Sequence, residues 1–167
     1  MSVVEFDVTY PYPIELVWEA ITHRDSLGQW LMETDFIPEV GHKFQFRTKP
    51  QAGWRGIVDC EVLEMKRPFS LSYSWQGDPK YRKTIVTWTL EPVEKGTKLT
   101  LQHTGFKGIG GFVLSKLILG PGWRNMMKKL IPNLLSYVAK EGFRFPEGKK
   151  IVHCSHDSQP HQRRSDP

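Results

Sequence analysis

Residues 121–140, PGWRNMMKKLIPNLLSYVAK, carry the clearest structural pattern in the sequence. Its apolar side chains recur every three or four residues, the spacing of one helix face: Trp123, Met126, Met127, Leu130, Ile131, Leu134, Leu135 and Val138. The pattern predicts an amphipathic helix of about 20 residues, long enough to cross a whole sheet at roughly 1.5 Å per residue. Pro132 lies on the polar side with Lys128 and Ser136, and it predicts a kink that bends the helix toward the layer it covers.

The layer beneath this helix is predicted by alternating apolar and polar residues upstream. Five segments show the period of two that a half-buried strand requires, with apolar positions at Phe44 and Phe46; Trp54, Val58, Cys60 and Val62; Phe69, Leu71, Tyr73 and Trp75; Val86, Trp88 and Leu90; and Leu99, Leu101 and His103. Tight turns near Gly41, Gly53, 77–79 and 94–96 join them, so successive strands pair antiparallel. Only one face is apolar, which predicts a sheet covered on one side.

The N-terminal region predicts one more strand and two short helices. Val4, Phe6 and Val8 alternate with polar residues, and Pro13 suits the first turn of a following helix. A second short helix is predicted over 24–31. We therefore predict an α+β fold of the helix-grip type, in which a curved antiparallel sheet wraps around a long C-terminal α-helix.

Composition narrows the class of protein. The chain has 167 residues, the size of one domain, and two widely spaced cysteines, which fits a reducing cytosol. No apolar run approaches the roughly 18 residues of a membrane span, and the N-terminus does not read as a secretion signal. The net charge of +5 is spread along the chain without a dense basic stripe, so we predict no nucleic-acid binding. These features predict a cytoplasmic protein.

The domain is predicted to span residues 1–141. Residues 142–167 carry no periodicity and are rich in Pro, Gly, Ser, His and charged residues, which predicts a disordered polar tail. Within that tail, residues 153–156 (HCSH) and His161 are metal-ligand types, but their spacing matches no standard zinc pattern. We predict no metal site and no cofactor.

Short motifs follow one another along the chain in a fixed order. They are 13–22 (PIELVWEAIT), 38–41 (PEVG), 71–75 (LSYSW), 96–101 (GTKLTL) and 103–106 (HTGF), together with Trp30, Phe44, Gly56, Gly122 and Trp123. In this order they resemble the START-like (SRPBCC) superfamily, in its branch similar to the activator of Hsp90 ATPase. The resemblance covers about residues 3–140 and implies a cavity between sheet and helix for a lipid, polyketide or other apolar ligand. It also implies two other roles known in the superfamily, aromatase or cyclase activity and a co-chaperone domain.

The candidate site residues are those that face the predicted core. Aromatic rings along a curved sheet and a single helix favour a ligand cavity, because such surfaces leave gaps. We predict that a hydrophobic small molecule is bound by Phe44, Phe46, Trp54, Val58, Leu71, Tyr73, Trp75, Trp88, His103, Trp123, Met127 and Leu130. The other interpretation, in which these rings only fill the core, stays open.

The same faces carry no evident catalytic pair. Asp59 and Glu61 fall on polar faces, and His103 is best interpreted as a structural histidine bonded near a strand end. We therefore predict a noncatalytic binder. The alternatives are a cyclase or aromatase with His103 and Tyr73 as acid and base, or a chaperone-associated interaction domain.

Two further features have competing interpretations. Cys60 alternates inward and is predicted to be a small buried hydrophobe rather than a nucleophile. Glycines at 105, 108, 110 and 111 precede the apolar segment 112–119 (FVLSKLIL), which is predicted to be a short helix on hinges. That segment is a lid over the pocket, or it packs in the ordinary way against the C-terminal helix, or, if exposed, it contacts a protein partner or a second copy.

Overall fold

The larger layer of the molecule is a seven-stranded antiparallel sheet. The structure is a computed structural model that describes residues 2–152. The strands run in the order β1-β7-β6-β5-β4-β3-β2 and curl into a half-barrel. Their bounds are β1 Ser2–Tyr10, β2 Glu33–Thr34, β3 Lys43–Arg47, β4 Ile57–Lys66, β5 Ser70–Trp75, β6 Thr84–Val93 and β7 Gly96–Phe106.

Helices complete the helix-grip arrangement that the sequence predicts. Two short helices follow β1: α1, Ile14–Thr22, and α2, Arg24–Trp30. The long C-terminal helix is built from α3 (Gly108–Val113), a π-helical turn (Leu114–Leu119), α4 (Gly120–Asn125), a second π-helical turn (Met126–Leu130) and α5 (Ile131–Glu141). Within residues 2–152, no helix has both the length and the apolar character needed to cross a membrane.

The long helix begins earlier than the sequence predicts. We expected a start near Pro121 and a separate hinged helix before it, but the helical backbone runs unbroken from 108 to 141. Leu114, Gly120, Met126 and Ile131, which join its pieces, all have right-handed helical dihedral angles. The segment 112–119 is therefore part of the first third of the long helix. Its glycines and nearly uniform apolar character hid the helical period.

Each π-helical turn ends two residues before a proline. The first precedes Gly120 and Pro121, and the second precedes Ile131 and Pro132. A proline ring clashes with the carbonyl four residues earlier in a regular helix, and a wider turn relieves that clash. This is how the helix passes two prolines without ending.

The second π-helical turn leaves one carbonyl without a backbone donor. The N–H of Ile131 donates to the carbonyl of Met126, and Pro132 has no N–H to offer Met127. The hydroxyl of Tyr10, at the end of β1, donates to the Met127 carbonyl instead. Burial raises the pKa of Tyr10, so this hydroxyl stays protonated as a donor. The Tyr10 side chain thus connects the edge strand β1 with the second π-helical turn.

Replacing Tyr10 by Phe is expected to lower the free energy of unfolding by about 1–3 kcal/mol, because the buried carbonyl of Met127 loses the hydroxyl that donates to it. Chemical denaturation of both proteins measures the change. Tyr12→Phe is the matched control, since Tyr12 is only partly buried and binds Thr97 through its backbone carbonyl. Equal stability of Tyr10→Phe and the wild-type protein would contradict this role.

The core lies between the concave face of the sheet and the helices. The predicted inward positions of β3 to β7 are buried, with two exceptions. Phe69 lies in the turn before β5 and is 48% exposed. Trp54 precedes β4, because the turn ends at Gly56, whose backbone φ of 76° and closeness to the Thr48 carbonyl exclude a side chain.

Residues 142–152 form no helix or strand, yet they pack on the domain. Gln29 of α2 bonds this segment twice, through the carbonyl of Lys149 and the N–H of Ile151. The ring of Phe143 stacks on His23, and Val152 is buried. These residues therefore contact His23 and α2, and the predicted domain boundary at 141 stays a prediction. The predicted metal-ligand types at 153–156 and 161 lie outside the described residues.

Candidate functional site

Six aromatic rings meet between the sheet and the long helix. Phe44 contacts Phe46 on β3, and Phe46 contacts Trp75 of β5. Trp75 contacts Trp123 of α4, which in turn contacts Trp88 of β6, and all four contacts are edge-on or tilted. The ring centroids in these contacts are 5.3 to 5.6 Å apart, and Tyr73 lies 5.5 Å from Phe44. Such distances are those of favourable aromatic pairs. We call these six residues the ring cluster.

The other predicted site residues divide into two groups. Val58, Leu71, Met127 and Leu130 are buried beside the ring cluster in the same core. Trp54 does not join it. The indole N–H of Trp54 instead donates to the carbonyl of Gly77 (3.0 Å), at the rim of the sheet.

His103 is held by a directed series of hydrogen bonds. The indole N–H of Trp123 donates to Nδ1 of His103 (3.1 Å). The Thr84 hydroxyl donates to the Trp75 carbonyl (3.0 Å), so it accepts from Nε2 of His103 (2.6 Å). The ring is therefore neutral, with its proton on Nε2. Burial lowers the pKa of His103 to about 3.

In this arrangement His103 connects Thr84 of β6 with Trp123 of the long helix. Both ring nitrogens already have partners, and a second proton on Nδ1 would face the indole N–H of Trp123. Tyr73 is not bonded to His103; its hydroxyl accepts a hydrogen bond from the indole N–H of Trp88 (2.9 Å). Burial raises the pKa of Tyr73. The two residues that we considered as acid and base therefore belong to different hydrogen-bonded pairs.

A first cleft of about 430 Å³ opens between α1 and the chain that follows β2. Its apolar wall is formed by Trp18, Phe36, Ile37 and Met65. At its rim Arg67 pairs with Glu19 of α1, at 3.3 Å.

A second cleft of about 380 Å³ lies where the β4–β5 ladder is interrupted. The ladder ends with Val62 opposite Tyr73, and one isolated bridge, Asp59 to Gln76, follows. Cys60 and Ser74 line the gap between them. Between these two points β4 and β5 form no regular ladder.

The second cleft has a polar rim and buried residues in its lining. Asp59 at the rim accepts bonds from Arg55 and from Gln45 (2.7 Å), and the Arg55 bond is the main cause of its lowered pKa. The lining of this cleft also includes Phe44 and Cys60, both of which are buried. Burial, reinforced by the nearby charges of Asp59 and Asp35, raises the pKa of Cys60, so it is a protonated thiol, in line with its predicted role as a buried hydrophobe.

Sequence reasoning missed both clefts. It assigned no site role to Trp18 or Phe36, because they belong to α1 and to a loop rather than to the alternating strands. Loop residues carry no periodic signal, so only the PEVG motif at 38–41 pointed to this region. The second cleft nevertheless includes the predicted residue Phe44, whose ring centroid lies 5.0 Å from that of Phe36 in the first cleft.

Comparison with known proteins finds a matching family model and a similar solved structure. The model of the family described as "Activator of Hsp90 ATPase homolog 1-like protein" matches residues 11–131. The crystal structure of protein MLL2253 from Mesorhizobium loti is 31% identical with a TM-score of 0.69, and the match covers 81% of this chain and 98% of that one. No curated protein sequence matches significantly.

Two further solved structures share the architecture. Protein BH1534 of Bacillus halodurans is 28% identical with a TM-score of 0.61, and the match covers 75% of this chain and 91% of that one. CalU16 from Micromonospora echinospora is 21% identical with a TM-score of 0.62 over 83% of this chain and 76% of that one, which shows the fold alone. The family model, which covers most of the chain, and the 31% identity with MLL2253 show that this chain belongs to the Activator of Hsp90 ATPase homolog 1-like family, within the helix-grip (SRPBCC) superfamily.

Proposed function

We propose that this protein binds an apolar small molecule among the inward-facing rings of the sheet, without catalysis. The family and the fold are those of a ligand-binding domain in general. One observation carries the finer proposal: Phe36 lines the first cleft, Phe44 lines the second, and the centroids of these two rings lie 5.0 Å apart. Separation of this pair would join the clefts to the ring cluster.

The chemistry of the clefts suits a lipid, a polyketide or an aromatic compound with a polar end. Volumes of about 430 and 380 Å³ fall in the range of small-molecule sites. The rings of Phe36 and Phe44 would contact the apolar part of the ligand. The rim of the second cleft, with Gln45, Asp59 and Lys83, would orient the polar end.

The proposed lining keeps the residues predicted from the sequence. Phe44 and Phe46 stand nearest the clefts, and Trp75, Trp88 and Trp123 lie deeper. These rings contact one another, so the ligand enters only if they move apart. The interruption of the β4–β5 ladder supports such movement, because fewer backbone bonds hold the strands there.

A noncatalytic role is supported by the state of the reactive side chains. Neutral His103 is bonded at both nitrogens, and Cys60 is a protonated thiol. A cyclase or aromatase would need a group that exchanges protons near neutral pH. We also propose a cytoplasmic location, for which the free thiol of Cys60 is the support.

Titration with apolar compounds is expected to shift the indole N–H signals of Trp75, Trp88 and Trp123 in a saturable way in NMR spectra. Phe44→Ala removes a ring that would contact the ligand, so affinity is expected to fall by about tenfold. Phe69→Ala is the matched control, because this ring is exposed and lines neither cleft. The absence of saturable shifts across a broad library of lipids and polyketides would refute the proposal, as would equal effects of the two variants.

Contact with a partner through residues 112–119 is a separate proposal. It is supported by exposed side chains such as Phe112 and Leu117. The charge around these residues favours one class of partner.

A further inference from the structure

The solvent side of the first turns of the long helix is apolar. Ile109, Phe112, Val113, Leu117 and Ile118 are 86, 54, 42, 71 and 60% exposed. The other large apolar residues that are exposed within 2–152 are scattered over loops and strands. A contiguous exposed apolar surface of this kind marks an interaction site. We call these five residues the apolar strip.

The charged side chains of the long helix before Glu141 are all positive. No Asp or Glu occurs between Glu94 and Glu141. Lys107 precedes the strip and Lys116 lies within it, and both are exposed. Arg124, Lys128 and Lys129 continue the solvent side of the same helix. Within the described part of the chain, none of these five cations has a carboxylate within 4.0 Å.

We infer that this helix docks on an anionic lipid surface. Apolar side chains with flanking Lys and Arg on one side of a helix are the composition of a helix that lies in the membrane interface. The apolar strip would insert among the acyl chains, while the cations would contact lipid phosphates.

A second copy of this chain is the less suitable occupant. A two-fold symmetric contact brings the same surface of each copy together. It would place the cations of one helix against those of the other, with no acidic residue on either helix before Glu141 to compensate. An anionic bilayer removes this repulsion and also covers the apolar strip.

Flotation with vesicles tests the inference. The full chain is expected to bind phosphatidylcholine vesicles that contain about 30% phosphatidylserine, and not pure phosphatidylcholine. Binding is expected to fall by about tenfold or more between about 50 mM and 500 mM salt, because screening weakens the cation contacts.

Two double variants test the apolar strip and the cations separately. Phe112→Ser/Leu117→Ser and Lys128→Glu/Lys129→Glu are each expected to weaken vesicle binding by about tenfold or more. All four side chains are exposed, so the fold is expected to survive. Matched controls are Val40→Ser/Phe69→Ser and Lys66→Glu/Lys95→Glu, which change exposed residues elsewhere and are expected to bind as the wild-type protein does.

Three outcomes would overturn the inference. The first is no binding to the anionic vesicles at low salt. The second is equal loss of binding in the control variants. The third is a dimer, seen by sedimentation, that Phe112→Ser/Leu117→Ser abolishes while vesicles fail to bind; the apolar strip would then contact a second copy.

Discussion

Between pH 7 and pH 4 the free energy of unfolding is expected to fall by roughly 3 kcal/mol through His103 alone. The folded protein holds this ring neutral, with a pKa of about 3, whereas an unfolded histidine has a pKa near 6.5. Between these two pKa values the unfolded chain binds a proton that the folded chain does not bind. The free energy of unfolding therefore increases with pH from about 3 to about 6.5 and is then constant with respect to His103.

The physical reason is the direction of the bonds around the ring. Protonation of Nδ1 would set it against the Trp123 indole N–H, and Nε2 already donates to Thr84. The rings packed on His103 are those of Trp75, Phe106 and Trp123, which carry no charge to stabilise an imidazolium. Nothing that contacts the ring would offset the cost of charging it.

Denaturant unfolding at several pH values measures this effect. The wild-type protein is expected to lose about 1.4 kcal/mol per pH unit more than His103→Gln between pH 6 and pH 4, because Gln does not titrate. Trp123→Phe should fall between them, since it removes the N–H that opposes a proton on Nδ1. If the free energies of unfolding of the wild-type protein and His103→Gln change in parallel with pH, then His103 is protonated equally in the folded and unfolded states, which contradicts the prediction.

Much of the fold could be predicted because its signals are local and periodic. The alternation in β5, β6 and β7 identified the inward residues, such as Leu71, Trp88 and Leu101, all of which are buried. The spacing of Met127, Leu130, Leu134 and Val138 likewise identified the buried side of the long helix. Burial of one face follows directly from these periods.

The start of the long helix could not be predicted in the same way. Proline and glycine normally end helices, and here two π-helical turns accommodate Pro121 and Pro132. The second of them depends on the Tyr10 hydroxyl, which is far away in sequence. A contact between distant residues leaves no local pattern.

The candidate site could be predicted only in part, for a related reason. The periods show which rings face inward, but not whether the space between them is filled. The structure shows contacts along the whole ring cluster, from Phe46 to Trp88. Its clefts lie at loops and at an interrupted ladder, and both are products of tertiary structure.

Trp123 is the residue whose removal best separates a plain core from a ligand site. Its ring is 2% exposed and lies 5.3 Å from Trp75 and 5.6 Å from Trp88. Trp123→Ala is expected to lower the free energy of unfolding by about 3–5 kcal/mol, because it leaves a cavity and deprives His103 of its donor. Met126→Ala, a less buried position on the same helix, is the control and should lose clearly less.

The cavity left by Trp123→Ala is lined by aromatic rings and by the unpaired Nδ1 of His103, so it is expected to bind indole, which has the shape and the N–H donor of the missing side chain. At about ten times its dissociation constant, indole should restore about 1.4 kcal/mol, measured as a shift of the unfolding midpoint. If indole rescues the variant while the wild-type protein binds no apolar compound, the ring cluster is a plain core and the proposed ligand site is wrong. If the wild-type protein also binds, with shifts at Trp75 and Trp88, its rings separate as the two clefts at Phe36 and Phe44 require. Failure of indole to bind the variant would mean that the helix collapses onto the sheet and that the prediction of a stable cavity is wrong.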